Sequence, residues 1–522
     1  MAPEQIASAR EMRIPIKRLT VPAAIAAGAV ALRVAAGVGF VNYDTLYALA
    51  WGGQLSRGST PAYGVPIAPT PHPLVEILGV VLAPLGPHGV LEVTVALAFL
   101  ALSACAWVIY ALGARWFGRA AGALAALLLI TRVPVLEDGV RAYIDVPYLL
   151  LVLSALLVES RRPRAGWPVL ALLALAGLLR PEAWVFSGLY WLYLIAWPAW
   201  RRRLDWDRRA PAWLGGRFAD GGREAGAGGP PTVAPLSGRS RRELAGLTLL
   251  AAAAPLVWMG SDLLITGDAL WSLTNTQHTA EVLGRVTWIA NVPEYIPRRI
   301  GEILRPPVLA GAALGGVLSL LWLRARARLA AIAGVVAVLV FAAFATVGLP
   351  INTRYAFLAA AILCVFCGAG VFGWTLLERG DPRRRWWMAG GLIVLVGLVV
   401  YAPSQYRSAH RQLDKLAVQQ RIEGDLVALV HDHAIGLACG PVEVPSHAPI
   451  PLLSLYLRTS PVNVISAQVH QISYGTYVDP ASIEVERDYV LDPRDPHLAV
   501  SVPPGFTESA TNRSWLIFTR CS

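Results

Sequence analysis

The chain has 522 residues, 55% of them hydrophobic and only 15% charged, where a soluble protein of this length would carry about a quarter charged residues. The apolar residues gather into runs of about twenty, enough to cross roughly 30 Å of hydrocarbon, which excludes a soluble globular chain. The net charge of +11 does not mark a nucleic-acid partner, because most of it sits in short loops between those runs and reads as a topology signal.

The first nineteen residues carry Arg10, Arg13, Lys17 and Arg18. The apolar run behind them, 20–40, is too long for a signal peptide and shows no small-residue cleavage site, so it reads as a signal-anchor helix with a cytoplasmic N-terminus. Further spans are expected at 89–111, 120–136, 143–159, 166–180, 183–200, 244–264, 306–323, 329–348, 355–376 and 387–403. The predicted fold is therefore a polytopic α-helical membrane protein of about eleven spans, 20–403, followed by a small α/β domain, 404–522. The loops assigned to the cytoplasm, together with the N-terminus, hold 26 of the 45 Lys and Arg residues. The apolar segment 73–85 is too short to span, and counting it would invert every later loop against its charge. It reads as a helix on the outer surface, closing the first outer loop, 41–88.

The cytoplasmic loop 201–243 holds ten arginines and many glycines. It has no packable core, so disorder and contact with anionic headgroups are expected there. The chain after Tyr401 is expected outside the membrane. A polar helix-period stretch, 413–431, precedes strand-like segments at 435–439, 462–465 and 514–519. Cys105, Cys364 and Cys367 lie in apolar runs and read as small buried hydrophobes. Cys439 and Cys521, in the outer domain, are expected to form a disulfide, because each borders a strand-like segment in an oxidising compartment.

Ionisable residues near a span are costly and default to functional candidates. Asp44, His72, Glu137, Asp138, Arg141, Asp145, Arg180, Glu182, His278 and Arg354 all fall at outer ends of spans or in outer loops. A transporter would be expected to place such groups near the midplane within an inverted repeat. Asp44, in Gly39-Phe-Val-Asn-Tyr-Asp-Thr-Leu-Tyr47, reads either as a helix cap or as a general base that deprotonates an acceptor. Asp145, in Arg141-Ala-Tyr-Ile-Asp-Val-Pro147, is either a cap or a second carboxylate that shapes the site. Arg180 either pairs with Glu182 or holds a lipid phosphate, and Arg354 carries the same two readings.

In order and sidedness these residues resemble the membrane-embedded glycosyltransferases of the GT-C fold, in particular the protein O-mannosyltransferase-like and aminoarabinose-transferase-like families. The features are Tyr43-Asp44 after the first span, Pro71-His72-Pro73 before the surface helix, and Asp145 with Pro147 heading the fourth span. Leu178-Leu-Arg-Pro-Glu-Ala-Trp184 and Thr353-Arg-Tyr355 complete the set. The resemblance implies an inverting transfer of a monosaccharide from a polyprenyl phosphate to an extracytoplasmic lipid, glycan or protein. Asp44 would be the base and Asp145 a second catalytic carboxylate. Arg180, Arg354 and His72 would hold the donor phosphate, with Glu182, Arg141, Asp138 and His278 supporting the acceptor side. Where the aminoarabinose-type enzymes carry lysine before a double proline, this chain has His72.

No cofactor follows from the sequence. The outer carboxylates leave a divalent cation open, although no His/Cys cluster has ligand spacing. Two rival readings share the hydropathy: a transporter or flippase of a lipid-linked sugar, and a non-catalytic scaffold in which Asp44 and Asp145 only cap helices.

Overall fold

A computed structural model describes residues 20–203, 240–490 and 501–521. Most of the basic loop 201–243, expected to be disordered, and the basic N-terminus lie outside the described residues. The chain is mainly helical. Its helices are α1 (Thr20–Ala36), α2 (Tyr43–Ser56), α3 (Pro73–Leu82), α4 (Gly86–Phe117), α5 (Arg119–Ile130), α6 (Val133–Val140), α7 (Asp145–Arg161), α8 (Trp167–Gly177) and α9 (Glu182–Arg203). There follow α10 (Arg241–Thr266), α11 (Trp271–Val282), α12 (Val292–Trp322), α13 (Arg324–Thr346), α14 (Phe357–Phe372), α15 (Pro382–His431) and α16 (Ile450–Tyr456). Each expected span falls mainly on one helix except 120–136, which is divided between α5 and α6, bent by 64° at the break. Among the described residues six helical segments are long and apolar enough to cross a membrane, or seven if the bent pair α5 and α6 is one span. This is a membrane protein.

Small residues let the membrane helices approach closely, as expected where lipid removes the hydrophobic drive for helix association. A Cβ on Gly315 of α12 would stand 1.9 Å from the Phe366 carbonyl of α14, and one on Gly370 would stand 2.3 Å from the Gly311 carbonyl. The buried helix α14 is thereby sandwiched against α12 and α5. Cys105, Cys364 and Cys367 are buried free thiols within this packing. Outside it, α2 and α3 meet at Gly52, where a Cβ would stand 2.3 Å from the Glu76 carbonyl.

The helix α15 runs for 50 residues, about 75 Å at 1.5 Å per residue. Its first half contains the last expected span, it passes through Pro403 without a break, and its second half is the expected polar helix. The boundary drawn at 403/404 therefore falls inside one continuous helix. Its far end enters the C-terminal domain, where Trp515 Nε1 donates to the Ile422 carbonyl at 3.0 Å and Asn512 Nδ2 to the Asp425 carbonyl at 2.7 Å.

That domain holds a five-stranded sheet of order β2-β1-β3-β5-β4. The strands are β1 (Val442–Val444), β2 (Val464–Ser466), β3 (Gly475–Pro480), β4 (Thr507–Thr511) and β5 (Trp515–Arg520). β1 is parallel to β2 and β3, and β3 is antiparallel to β5. The segment 435–439, expected to be extended, is instead a turn leading to β1. Gly440, at φ +127°, reverses the chain there and crosses over Gly475. The disulfide between Cys439 and Cys521 is present, with Cα atoms 4.6 Å apart. It forms although β1 and β5 are not neighbours, because both cysteines lie at the edge where β3 begins. Tyr47, Trp51 and Tyr63 of the first loop share one apolar core with Leu429, Val444 and Trp515. A shared core requires the first loop and the C-terminal domain to lie on the same side of the membrane.

Candidate active site

The start of α2 shows why Asp44 is free for chemistry. Asn42 is the cap: its Oδ1 accepts from the backbone N–H of Asp44 at 2.8 Å and of Thr45 at 3.2 Å. Asn42 is itself anchored, its Nδ2 donating to the Arg141 carbonyl at 3.0 Å, while Thr45 Oγ1 donates to the Ala142 carbonyl at 2.9 Å. The cap is therefore made by a neighbour, and the Asp44 carboxylate accepts from Arg354 Nη1 at 2.9 Å. Asp145 does not cap either. It opens α7, is 1% exposed, and pairs with Arg180. Arg354 Nη1 lies 3.8 Å from its second oxygen.

These contacts join five side chains in alternating charge: Asp44, Arg354, Asp145, Arg180 and Glu182. Arg180 makes the expected pair with Glu182 and also bonds Asp145, a partner the sequence did not suggest, so its guanidinium is committed to two carboxylates. The Tyr355 ring lies under it at 4.1 Å, and the Tyr143 ring stands 5.2 Å from Arg354, geometry that suits the face of a planar cation. The turn bearing Arg354 is clamped from α12: Thr353 Oγ1 donates to Glu302 at 2.9 Å, and Glu302 is held by Arg299 at 3.0 Å.

Asp44, His72, Arg180, Glu182 and Arg354 line one cavity of about 330 Å³. Its opposite wall is apolar, with Trp184, Trp258, Leu273 and Phe344. Burial is the largest influence and works to raise the Asp44 carboxyl, but the charge and hydrogen bond of Arg354, together with the other positive groups nearby, hold it below the usual carboxylate range. Burial pushes His72 down to about 3, helped by Arg180 and Arg354 and opposed by Asp44.

Not every candidate converges. Arg141 pairs with Glu137 at 3.2 Å and faces the Tyr143 ring beside the cavity, and Asp138 lies within electrostatic range of Arg354. Neither lines the cavity. His278 is exposed on α11 and is not brought to the site. Three ionisable lining residues were not singled out in the sequence, Asp262, Arg285 and His447. Arg285 makes no ion pair among the described residues, yet it acts electrostatically on Asp44. Lone side chains in turns give no periodic signal, although the prolines flanking His447 mark a rigid loop. Among the described residues no three His, Cys, Asp or Glu side chains are placed to hold a metal ion.

Against solved structures, the chain superposes on ArnT from Cupriavidus metallidurans bound to undecaprenyl phosphate with a TM-score of 0.53, covering 96% of this chain and 98% of that one. The chain shares the ArnT fold. Identity to that ArnT structure is 13%. The apo state of the same ArnT gives a TM-score of 0.51 at 14% identity, with the same coverage. The ArnT match therefore takes in both the helical part and the C-terminal domain. No family model and no curated protein sequence matches the chain.

Proposed function

We propose that this protein is an inverting membrane glycosyltransferase that moves a monosaccharide from a polyprenyl phosphate to an extracytoplasmic acceptor. The observation that carries the reading is the cavity, mostly apolar but lined also by three guanidiniums, in which a carboxylate freed from capping is held by one of them, Arg354, within a fold shared with ArnT. The ArnT of that structure binds undecaprenyl phosphate, and an amphiphile with one anionic end fits such walls. In this reading the N-terminus is cytoplasmic, while the first loop and the C-terminal domain share the outer face.

Phosphate is already a good leaving group, so the protein's task is to activate the nucleophile and to balance charge. The acceptor oxygen or nitrogen attacks the anomeric carbon on the face opposite the phosphate. The bond from that carbon to the phosphate oxygen breaks, and its electron pair leaves with the polyprenyl phosphate. The nucleophile's proton goes to Asp44. A depressed carboxyl is a weak base but is fully ionised at neutral pH, and the nucleophile becomes acidic only as its new bond forms. Proton transfer is therefore late. Arg285, which makes no ion pair among the described residues, is placed to take the phosphate charge. Arg354 holds Asp44 in line, and Arg180 fixes Asp145 and Glu182.

The test uses full-length protein in proteoliposomes with a panel of labelled undecaprenyl-phosphate-linked pentoses and hexoses. Label should move to an acceptor fraction with release of undecaprenyl phosphate. Label that crosses the bilayer while still on its lipid would replace the enzyme by a transporter.

A further inference from the structure

A second cavity, of about 290 Å³, lies apart from the one that holds Asp44 and shares no lining residue with it. Its walls come from the chain entering α4 (Leu85 and His88), the end of α15 (His431) and the end of α16 (Tyr456 and Arg458). It therefore sits where a membrane helix begins and the C-terminal domain meets it, at the headgroup level of the leaflet facing that domain. Arg458 is held beside the N-terminal end of α4, because a Cβ on Gly86 would stand 3.6 Å from its Nη2. The turn of Arg458 is tied to α2, where Gln54 Nε2 donates to Ser460 Oγ at 3.2 Å. Arg57, following the end of α2, lies within electrostatic range of Arg458, and both arginines are exposed. Among the described residues neither makes an ion pair, and no side-chain hydrogen bond engages His88, His431 or the Tyr456 hydroxyl. Glu92, one turn along α4 from His88, acts electrostatically on Tyr456 but pairs with none of these groups.

Two guanidiniums and the positive end of a helix dipole thus share one corner with no counter-charge bonded to them, an arrangement that suits an anion. The guanidinium forks match phosphate oxygens, and the imidazole and phenol groups beside them can add neutral donors. Next to the cavity, Ile77, Val81 and Leu85 are exposed apolar side chains spaced by four along α3 and the turn after it. In a membrane protein such a stripe meets acyl chains. Leu85 belongs to both the stripe and the cavity, so tails lying on the stripe bring their headgroup to the arginines. We propose that this cavity binds the phosphate headgroup of an anionic lipid and so seats the C-terminal domain on the bilayer. The site is independent of the transfer chemistry.

Full-length wild type is compared with a neutral double variant, Arg57→Ala with Arg458→Gly, and a charge-keeping one, Arg57→Lys with Arg458→Lys. Glycine suits the φ of +50° at position 458, so it removes the guanidinium without straining the turn. Native mass spectrometry measures binding of phosphatidylglycerol, phosphatidylcholine and glycerol phosphate. Hydrogen exchange of the segment 455–460 is followed in phosphatidylcholine nanodiscs with and without phosphatidylglycerol. Wild type should prefer phosphatidylglycerol, and that lipid should slow exchange at 455–460. The neutral variant should bind it about tenfold or more weakly, the scale of one lost charge-assisted hydrogen bond, and lose the protection while its thermal melt is unchanged. The lysine variant should keep most of the preference. Equal binding and equal protection in wild type and the neutral variant overturn the proposal. So does a loss as large in the lysine variant, which would trace the effect to the fold and not to charge. Glycerol phosphate that binds and protects as well as the lipid would make the ligand a soluble phosphate and overturn the lipid assignment.

Discussion

Arg354 Nη1 donates to Asp44 Oδ2 at 2.9 Å across 310 residues of sequence. The pair joins the start of α2 to the turn before α14, the most deeply buried of the membrane helices. With the cap supplied by Asn42, nothing in the local backbone needs the Asp44 carboxylate.

Asp44→Asn should therefore abolish transfer while the protein still folds and inserts. The amide keeps the shape and an acceptor oxygen for Arg354 but cannot take a proton. A loss of about 10²-fold or more is expected for a missing general base. Initial-rate assays beside a thermal melt decide it, and near-normal turnover removes Asp44 from the mechanism.

Arg180 and Arg354 should behave differently when truncated. Arg180→Ala leaves two buried carboxylates uncompensated, a change that costs about 3–5 kcal/mol, so lost stability and poor yield should dominate. Arg354 is a quarter exposed. Its loss should mainly slow transfer, by misplacing Asp44, with a smaller shift in melting. Equal melting shifts for the two variants would contradict the division of labour.

Much of this arrangement was legible in the sequence, for physical reasons. Ionisable side chains are expensive beside a bilayer, so Asp44, Asp145, Arg180, Glu182 and Arg354 stood out, and their common side followed from the basic loops. Their pairing did not, because contacts between residues 310 apart leave no local pattern. The continuity of α15 through Pro403 was hidden because proline usually breaks a helix. The segment 435–439 looked extended from its apolar residues, while Gly436 and Gly440 on either side of Cys439 permitted the turn. Arg285 and His447 had neither periodicity nor a motif.

Chelation should leave transfer unchanged. Asp44, Asp145 and Glu182 are each engaged by a guanidinium, so little uncompensated negative charge remains to hold a divalent cation. Initial rates with and without excess EDTA give the answer, and restoration by added Mg²⁺ or Zn²⁺ would demand a metal in the mechanism.

Glu443, on the interior strand β1, is fully buried with both carboxyl oxygens lacking a hydrogen-bond partner among the described residues. Burial pushes it up to about 7, so the folded protein holds a proton that the unfolded chain releases near 4.3. The folded state therefore binds more protons, and stability falls as pH rises from the unfolded value toward 7. Glu443→Gln should stabilise the C-terminal domain at pH 8, by about 1–3 kcal/mol, and the gain should fade below pH 4.5. Thermal melts of both proteins across that range test it, and a gain independent of pH would show that the carboxyl is not the cause.

The disulfide between Cys439 and Cys521 closes a loop of 82 residues and ties the end of β5 to the turn that starts β1. Without it, the terminal residues behind β5 have no covalent hold, and termini without such ties fray. Chain-entropy reasoning gives a loop of this size about 4.5 kcal/mol of stabilisation. Cys439→Ser with Cys521→Ser should lower the melting temperature of the C-terminal domain and expose the 515–520 strand to proteolysis. The helical part, whose packing rests on α12 and α14, should keep its own transition. The bridge also reports sidedness, because disulfides persist outside the cytoplasm and not within it. Peptide mapping of protein isolated from native membranes with thiols blocked should find the two cysteines joined. Free thiols at both positions would place the domain in the cytoplasm, and with it the cavity that it helps to wall.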